Sequence, residues 1–223
     1  QADTARTNQD LLTLTEYAQF LQRISNEEEI ARALIRQISR VTTARQVGLY
    51  LLHRTRPTFE LVASHPALDS PELLLSRTVS ADACSVARNN LKVQVLDSLC
   101  ELSASCQLGC ANQRSELCVP LSDGNHVVGM LHLASPQAVG WSREAVKLVA
   151  SLANFTAPTV SNLRLLEVMR EQATRDPLTG LFNRRYLDEY LPMAIETARR
   201  NDSALGLLMC DIDRFKEIGR AHV

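Results

Sequence analysis

Two carboxylates two residues apart, Asp211 and Asp213, stand in the segment Asp211-Ile212-Asp213-Arg214-Phe215-Lys216. Of all the residues in the chain, these have the types and spacing best suited to chemistry. They follow an apolar run over residues 204–210 that reads as a short strand buried on both faces. Alternation along that strand puts Asp211 and Asp213 on one side and Ile212 on the other. Hard carboxylate oxygens at a sheet edge suit Mg2+ carrying a nucleotide triphosphate. Lys216, with neighbouring backbone amides, suits phosphate oxygens. Taken alone, Asp-Ile-Asp also fits any strand that ends in a solvated turn.

A second group lies about thirty residues upstream: Asp176-Pro177-Leu178-Thr179-Gly180-Leu181-Phe182-Asn183-Arg184-Arg185. The residue before a proline is pushed out of the helical region, so Asp176 closes a preceding helix. Gly180 can take a positive φ in the tight connection that follows. Asn183 is a good N-cap for a helix over residues 184–200, in which Pro192 is expected to introduce a kink or a division.

The cysteines form a third group. Five of the six, Cys84, Cys100, Cys106, Cys110 and Cys118, fall within 35 residues, and Cys210 stands apart as a small core residue of the expected strand. Their spacing lacks the Cys-x2-Cys pairs of zinc sites. It leaves open an iron–sulfur cluster, a redox-active pair, or plain core and loop thiols. Haem on His65, His126 or His132 is a further alternative, although His132 also reads as a packed strand histidine.

These groups need elements to hold them. With 24 basic against 25 acidic residues and a net charge of −1, the chain carries no footprint for nucleic acid or an anionic membrane. No apolar run approaches the roughly 20 residues that span a bilayer. No signal-peptide pattern opens the sequence, and the expected compartment is the cytoplasm. Residues 8–38 read as two helices. The first carries Leu11, Leu14, Tyr17, Ala18, Leu21 and Ile24 on one face. The second is capped at Ser25 or Asn26 and carries Ile30, Ala33, Leu34, Ile38 and Val41. Strands follow over residues 46–52 and 59–64, then a mixed segment with a short helix near residues 81–89. Residues 116–121 and 127–133 form a hairpin around Ser122-Asp123-Gly124-Asn125. A long helix starts at Ser142. In it Leu148, Leu152, Phe155, Thr159, Asn162, Leu166, Met169 and Ala173 follow a 4-3 spacing, which reads as a coiled-coil seam or as the face of an ordinary amphipathic helix packed on its own domain.

The hairpin Glu116-Leu-Cys-Val-Pro-Leu-Ser-Asp-Gly-Asn-His-Val-Val-Gly-Met-Leu-His-Leu-Ala134, followed by the Trp141-Ser-Arg-Glu helix start, resembles a GAF domain. That resemblance implies a sensory or dimerising module whose ligand lies between the sheet and the irregular middle segment, where Cys106 and Cys110 fall. Photoreceptor GAF domains carry a Cys-His pair that this chain lacks, and no cyclic-nucleotide signature of the Asn-Lys-Phe-Asp type occurs. The pair "DPLTGLFNRR … DIDRFK" resembles the opening of the GGDEF domain of bacterial diguanylate cyclases, which condense two GTP into cyclic di-GMP. The resemblance implies that Asp211 and the backbone of Ile212 bind Mg2+, that Phe215 and Lys216 contact GTP phosphates, and that Asp176 pairs with Arg184 or Arg185. The family pattern places a guanine-reading Asn where Gly219 stands. The Gly-Gly-(Asp/Glu)-Glu-Phe signature occurs nowhere, so this polypeptide is expected to lack cyclase activity.

The expected fold class is α/β: an α+β GAF-like antiparallel sheet with flanking helices, a long linking helix, then the first helix and strand of a GGDEF-type domain. The expected organisation is an N-terminal helix (1–25), a GAF-like domain (26–155), a signalling helix (156–175) and a GGDEF fragment (176–218). Residues 219–223 form a tail that departs from the family and resembles translated sequencing adapter. The resulting expectation is the sensory part of a diguanylate cyclase, working as a parallel homodimer through the linking helix. The alternative is a non-catalytic GAF module with a degenerate GGDEF partner domain.

Overall fold

The computed structural model describes residues 2–83, 93–97, 115–135, 141–211 and 213. The chain divides into two compact units, Gln1–Leu166 and Glu167–Val223.

The first unit opens with α1 (Ala2–Leu21) and α2 (Glu27–Val41). α2 begins where the sequence caps it: the Asn26 side chain accepts the Glu29 amide at 2.8 Å, and Glu27, Glu28 and Glu29 complement the dipole of its first turn. Ile30, Leu34 and Ile38 of its apolar stripe are fully buried, and Val41 at its end is partly buried. α1 buries less than its periodicity suggests. Tyr17 and Leu21 are buried, but Leu11 remains 56% exposed.

A six-stranded antiparallel sheet follows, built from β1 (Gln46–Leu52), β2 (Thr58–His65), β3 (Thr78–Ser80), β4 (Gln94–Asp97), β5 (Ser115–Asp123) and β6 (His126–Ser135), in the order β3-β2-β1-β6-β5-β4. The hairpin β5–β6 closes through Gly124-Asn125, where Gly124 takes a φ of +59° that a side chain would resist. Of the short helix expected near residues 81–89, a 3-10 turn is present at Ala81–Ala83, and the remainder lies outside the described residues.

Strand alternation divides the core into two layers. Val47, Leu49, Leu51, Leu117, Val119, Leu121, Leu131 and Leu133 face the helices. Tyr50, Phe59, Leu61, Leu75, Val79, Cys118 and Met130 pack on the opposite face. Coverage on both faces explains why β1, β5 and β6 read as nearly unbroken apolar runs.

The long helix α3 (Arg143–Thr174) starts with the Ser142 side chain accepting the Ala145 amide at 3.1 Å. Its buried residues are Leu148, Val149, Leu152, Ala153, Thr156, Ala157 and Val160. The structure divides the 4-3 face between the two readings: Leu148 and Leu152 belong to the domain's own core, whereas Phe155 (45%), Leu166 (50%) and Met169 (54%) are exposed. None of the helices among the described residues is long and apolar enough to cross a membrane.

A buried polar contact ties α1 to α3: the Tyr17 hydroxyl lies 2.8 Å from Thr156 Oγ1, which itself donates to the Leu152 carbonyl at 2.7 Å. Burial pushes the Tyr17 phenol well above its ordinary range, against a smaller opposing effect of the Thr156 contact. A folded pKa above the unfolded one means that the unfolded chain releases the proton first. The stabilisation is therefore complete below about pH 10 and is lost as pH rises beyond it. Urea titrations of Tyr17→Phe are expected to show a loss of about 1 kcal/mol at neutral pH and a shallower alkaline decline than the wild type. An equally steep decline in the variant would refute the assignment.

The second unit contains α4 (Arg184–Arg200), which continues through Pro192 as one helix, so the proline does not divide it. Residues 204–210 form no strand, and their apolar side chains stand exposed, Leu208 at 85% and Met209 at 90%. The expected buried strand is thus not formed, and Cys210 is exposed rather than a core thiol. A strand exists only through hydrogen bonds to a neighbouring strand, and among the described residues this unit supplies none.

Candidate functional site

The sheet face opposite the helices carries the most unusual polar grouping in the first unit. Glu116 and Cys118 on β5 and His132 on β6 share that face by alternation. Cys118 is the direct cross-strand partner of His132, whose other cross-strand neighbour is Gly48. The His132 side chain is 0% exposed and that of Glu116 is 6% exposed, with Nε2 and Oε2 separated by 3.5 Å. The contact falls outside hydrogen-bond geometry. Glu116 Oε2 and both ring nitrogens of His132 have no hydrogen-bond partner among the described residues. Burying such groups unpartnered costs on the order of 1–3 kcal/mol each, so this face carries unused donor and acceptor capacity.

The segment over residues 72–76 lies across part of this face. Gln46 Nε2 donates to the Glu72 carbonyl at 2.8 Å, the Leu74 amide donates to Gln46 Oε1 at 3.1 Å, and the Tyr50 hydroxyl donates to the Ser76 carbonyl at 2.8 Å. Gly48 makes room for it: a Cβ there would meet Leu75 Cδ1 at 2.7 Å.

Of the sensor thiols named from the sequence, Cys118 lies buried on this face, whereas Cys84, Cys100, Cys106 and Cys110 lie outside the described residues. His65 and His126 are exposed, so of the three histidines considered only His132 is buried. The sequence reading passed over Glu116. The available signal was its position two residues before Cys118 on one strand, which puts both side chains on the same face.

In the second unit, the stretch from Arg175 to Asn183 is a compact turn. Asp176 Oδ1 accepts the Thr179 amide at 2.9 Å, the Thr179 hydroxyl at 2.9 Å and the Leu178 amide at 3.2 Å. The amide and then the hydroxyl of Thr179 hold this carboxyl below the usual carboxylate range; desolvation opposes them, and the Leu178 amide adds a lesser lowering. Gly180 takes the positive φ, +71°, that the turn requires. Asn183 joins the two flanking helices: its Oδ1 accepts the Tyr186 amide at 3.0 Å, and its Nδ2 donates to the Ala173 carbonyl at 2.9 Å. Arg175 stacks over Phe182 at 4.5 Å and donates to the Gly180 carbonyl at 2.7 Å.

The expected pairing of Asp176 with Arg184 or Arg185 does not occur. Arg184 meets Asp188 at 3.8 Å and Arg185 meets Glu189 at 3.1 Å, each one helical turn away. Neighbours at i+4 on a helix are already in reach, and Asp176 Oδ1 is engaged by three donors within its own turn.

Asp211 and Asp213 are both exposed, and Ile212, Phe215 and Lys216 lie outside the described residues. Two hard carboxylates match Mg2+ in donor chemistry. Among the described residues, however, no group of three or more His, Cys, Asp or Glu is placed to hold a metal ion.

Comparison with known proteins places both units. A GAF domain family model matches residues 26–162, and the model of the diguanylate cyclase GGDEF domain matches residues 173–222, extending into the tail set apart in the sequence. Diguanylate cyclase DosC of Shigella flexneri is 37% identical over 75 residues, covering 33% of this chain and 20% of that protein. Diguanylate cyclase DgcP of Escherichia coli (strain K12) is 32% identical over 107 residues, covering 45% of this chain and 31% of that protein. The chain thus spans less than a third of the length of the curated relatives it matches. The first unit has the fold of the GAF domain from Acinetobacter phosphoenolpyruvate-protein phosphotransferase, with a TM-score of 0.59 at 17% identity over 71% of this chain and 96% of that one. The chain belongs to the GAF family, and its GAF domain is followed by a short GGDEF segment.

Proposed function

We propose that this chain is the sensory and signal-transmitting part of a bacterial diguanylate cyclase. The observation that carries the reading is the order of parts: a GAF domain, the helix α3, and a GGDEF segment that follows after the Asp176 turn. In this reading the GAF ligand binds on the sheet face that carries Glu116, Cys118 and His132. The unpartnered buried nitrogens and carboxylate oxygen favour a polar ligand over a purely apolar one. Cys118 lies on this face and is the first candidate sensor thiol; Cys84, Cys100, Cys106 and Cys110 are candidates from the sequence alone.

Two GTP molecules must be brought face to face to form cyclic di-GMP, so the active form is a parallel homodimer. The exposed residues Phe155, Leu166 and Met169 on α3 supply its seam. Mg2+, when bound, neutralises developing phosphate charge. Asp211 and the Ile212 backbone would hold it, while Phe215 and Lys216 would contact the GTP phosphates. The compartment is the cytoplasm, where GTP is present.

The test is cyclic di-GMP synthesis from GTP and Mg2+ by a protein carrying this chain ahead of a complete GGDEF domain. Activity is expected there, with Asp211→Asn lowering it roughly 100-fold or more, and none is expected from the 223-residue chain alone. Absence of synthesis by the complete protein, with GTP or the partner domain still bound, would favour the degenerate-receptor alternative.

A further inference from the structure

Arg164 is the last strongly anchored residue of α3 within the first unit. Val160, one turn earlier, is the last fully buried side chain of the helix, and the flanking Leu165 and Leu166 are 53% and 50% exposed. Arg164 itself is only 19% exposed. Its guanidinium grips Glu27 with both arms, Nε to Oε1 at 2.9 Å and Nη2 to Oε2 at 3.1 Å, and its remaining arm donates to the Leu52 carbonyl at 2.9 Å. Glu27 also receives Arg54 Nη2 at 3.4 Å and sits in the first turn of α2, where a carboxylate is favoured. One side chain therefore joins three elements: α3, the start of α2 and the end of β1.

We propose that Arg164 is a latch that clamps the outgoing helix to the end of β1 and makes its release depend on the position of that strand. β1 is suited to this because it belongs to both layers. Leu51 is buried towards the helices, Tyr50 reaches Ser76 across the ligand-side face, and the Leu52 carbonyl meets Arg164. A ligand that displaces β1 at Tyr50 moves the Leu52 carbonyl two residues further on. The planar fork cannot follow that movement and keep all three hydrogen bonds, because their directions are fixed within one rigid group. A lysine would preserve the charge but not the fork. The proposal rests on the reading of α3 as the transmitting helix and names the contact that regulates it.

Hydrogen exchange read by mass spectrometry on the 223-residue chain tests the latch. Arg164→Gln and Glu27→Gln are expected to raise amide exchange over residues 163–174 about tenfold, with protection over residues 30–38 and 128–134 retained. Arg164→Lys is expected to behave like Arg164→Gln rather than like the wild type. Unchanged exchange over residues 163–174 overturns the proposal. So does an equal loss of protection in the core, because Arg164 would then be a general stabiliser. In the complete cyclase, Arg164→Gln is expected to change the ligand-free rate of cyclic di-GMP synthesis severalfold. A loosened helix with an unaltered rate would leave the clamp standing and overturn the transmitting role of α3.

Discussion

Replacing Gly129 by alanine is expected to destabilise the GAF domain by about 3 kcal/mol or more. Gly129 lies on β6 opposite Leu51 of β1 and Leu121 of β5, in the middle of the sheet. A Cβ at this position would sit 2.3 Å from the Tyr50 carbonyl oxygen, 2.9 Å from Leu51 Cδ2 and 3.3 Å from Leu51 Cα. A side-chain tip can rotate away by itself, but a backbone carbonyl on a central strand moves only with its strand, and β1 is hydrogen-bonded to β2 on one side and β6 on the other. Relief requires β1 and β6 to separate, which would break ladder hydrogen bonds and open the core between Leu49 and Leu131. For a domain of this size, the loss corresponds to a fall in Tm of roughly 10 °C. Gly124→Ala provides the contrast. Its φ of +59° carries strain but nothing lies within 4 Å, so about 1 kcal/mol is expected. Thermal melts followed by circular dichroism compare the two. A Gly129→Ala melting temperature within a degree or two of the wild type would be incompatible with the described register.

The second large effect concerns Glu116 and His132. His132→Leu alone is expected to cost about 3 kcal/mol, because it leaves the Glu116 carboxylate buried without the imidazole 3.5 Å away. Glu116→Leu alone removes one unsatisfied group and leaves two ring nitrogens behind, at a cost of about 1–3 kcal/mol. The double replacement is expected to be far milder than the sum of the single ones, and neutral or stabilising in the limit, because apolar groups of similar size need no partners there. The functional consequence runs the other way: the double variant keeps its fold but loses the polar recognition proposed for the ligand face. Urea titrations of the four proteins give the coupling energy. Additive losses would mean that the two side chains do not act as a pair and would remove the basis for assigning them a shared ligand.

Much of the architecture was legible because local chemistry and tertiary structure agree. The α2 start at Asn26, the α3 start at Ser142 and the α4 cap at Asn183 each follow from a side chain that satisfies an orphan backbone amide within three positions of itself, and the β5–β6 hairpin follows from a glycine free to take a positive φ. The errors share a cause. The 4-3 spacing of Leu148, Leu152, Phe155 and Thr159 reports that a face is apolar, not what covers it, and the domain's own core claims the first two. Arg184 and Arg185 carried a family pairing, but acids one turn away on α4 were nearer than Asp176.

The sequence by itself determined the helix caps, the hairpin turn and the tight connection at Gly180, because these close between residues near one another in the chain. Only the tertiary structure decided which half of α3 is core, that Glu116 meets His132, and that Arg164 reaches back 137 residues to Glu27. Those contacts join separate elements, and their geometry comes from sheet register and helix docking rather than from periodicity. The run 204–210 makes the same point from the opposite side. It has the composition of a buried strand, but with no partner strand among the described residues of its unit to complete its hydrogen bonds it does not form one.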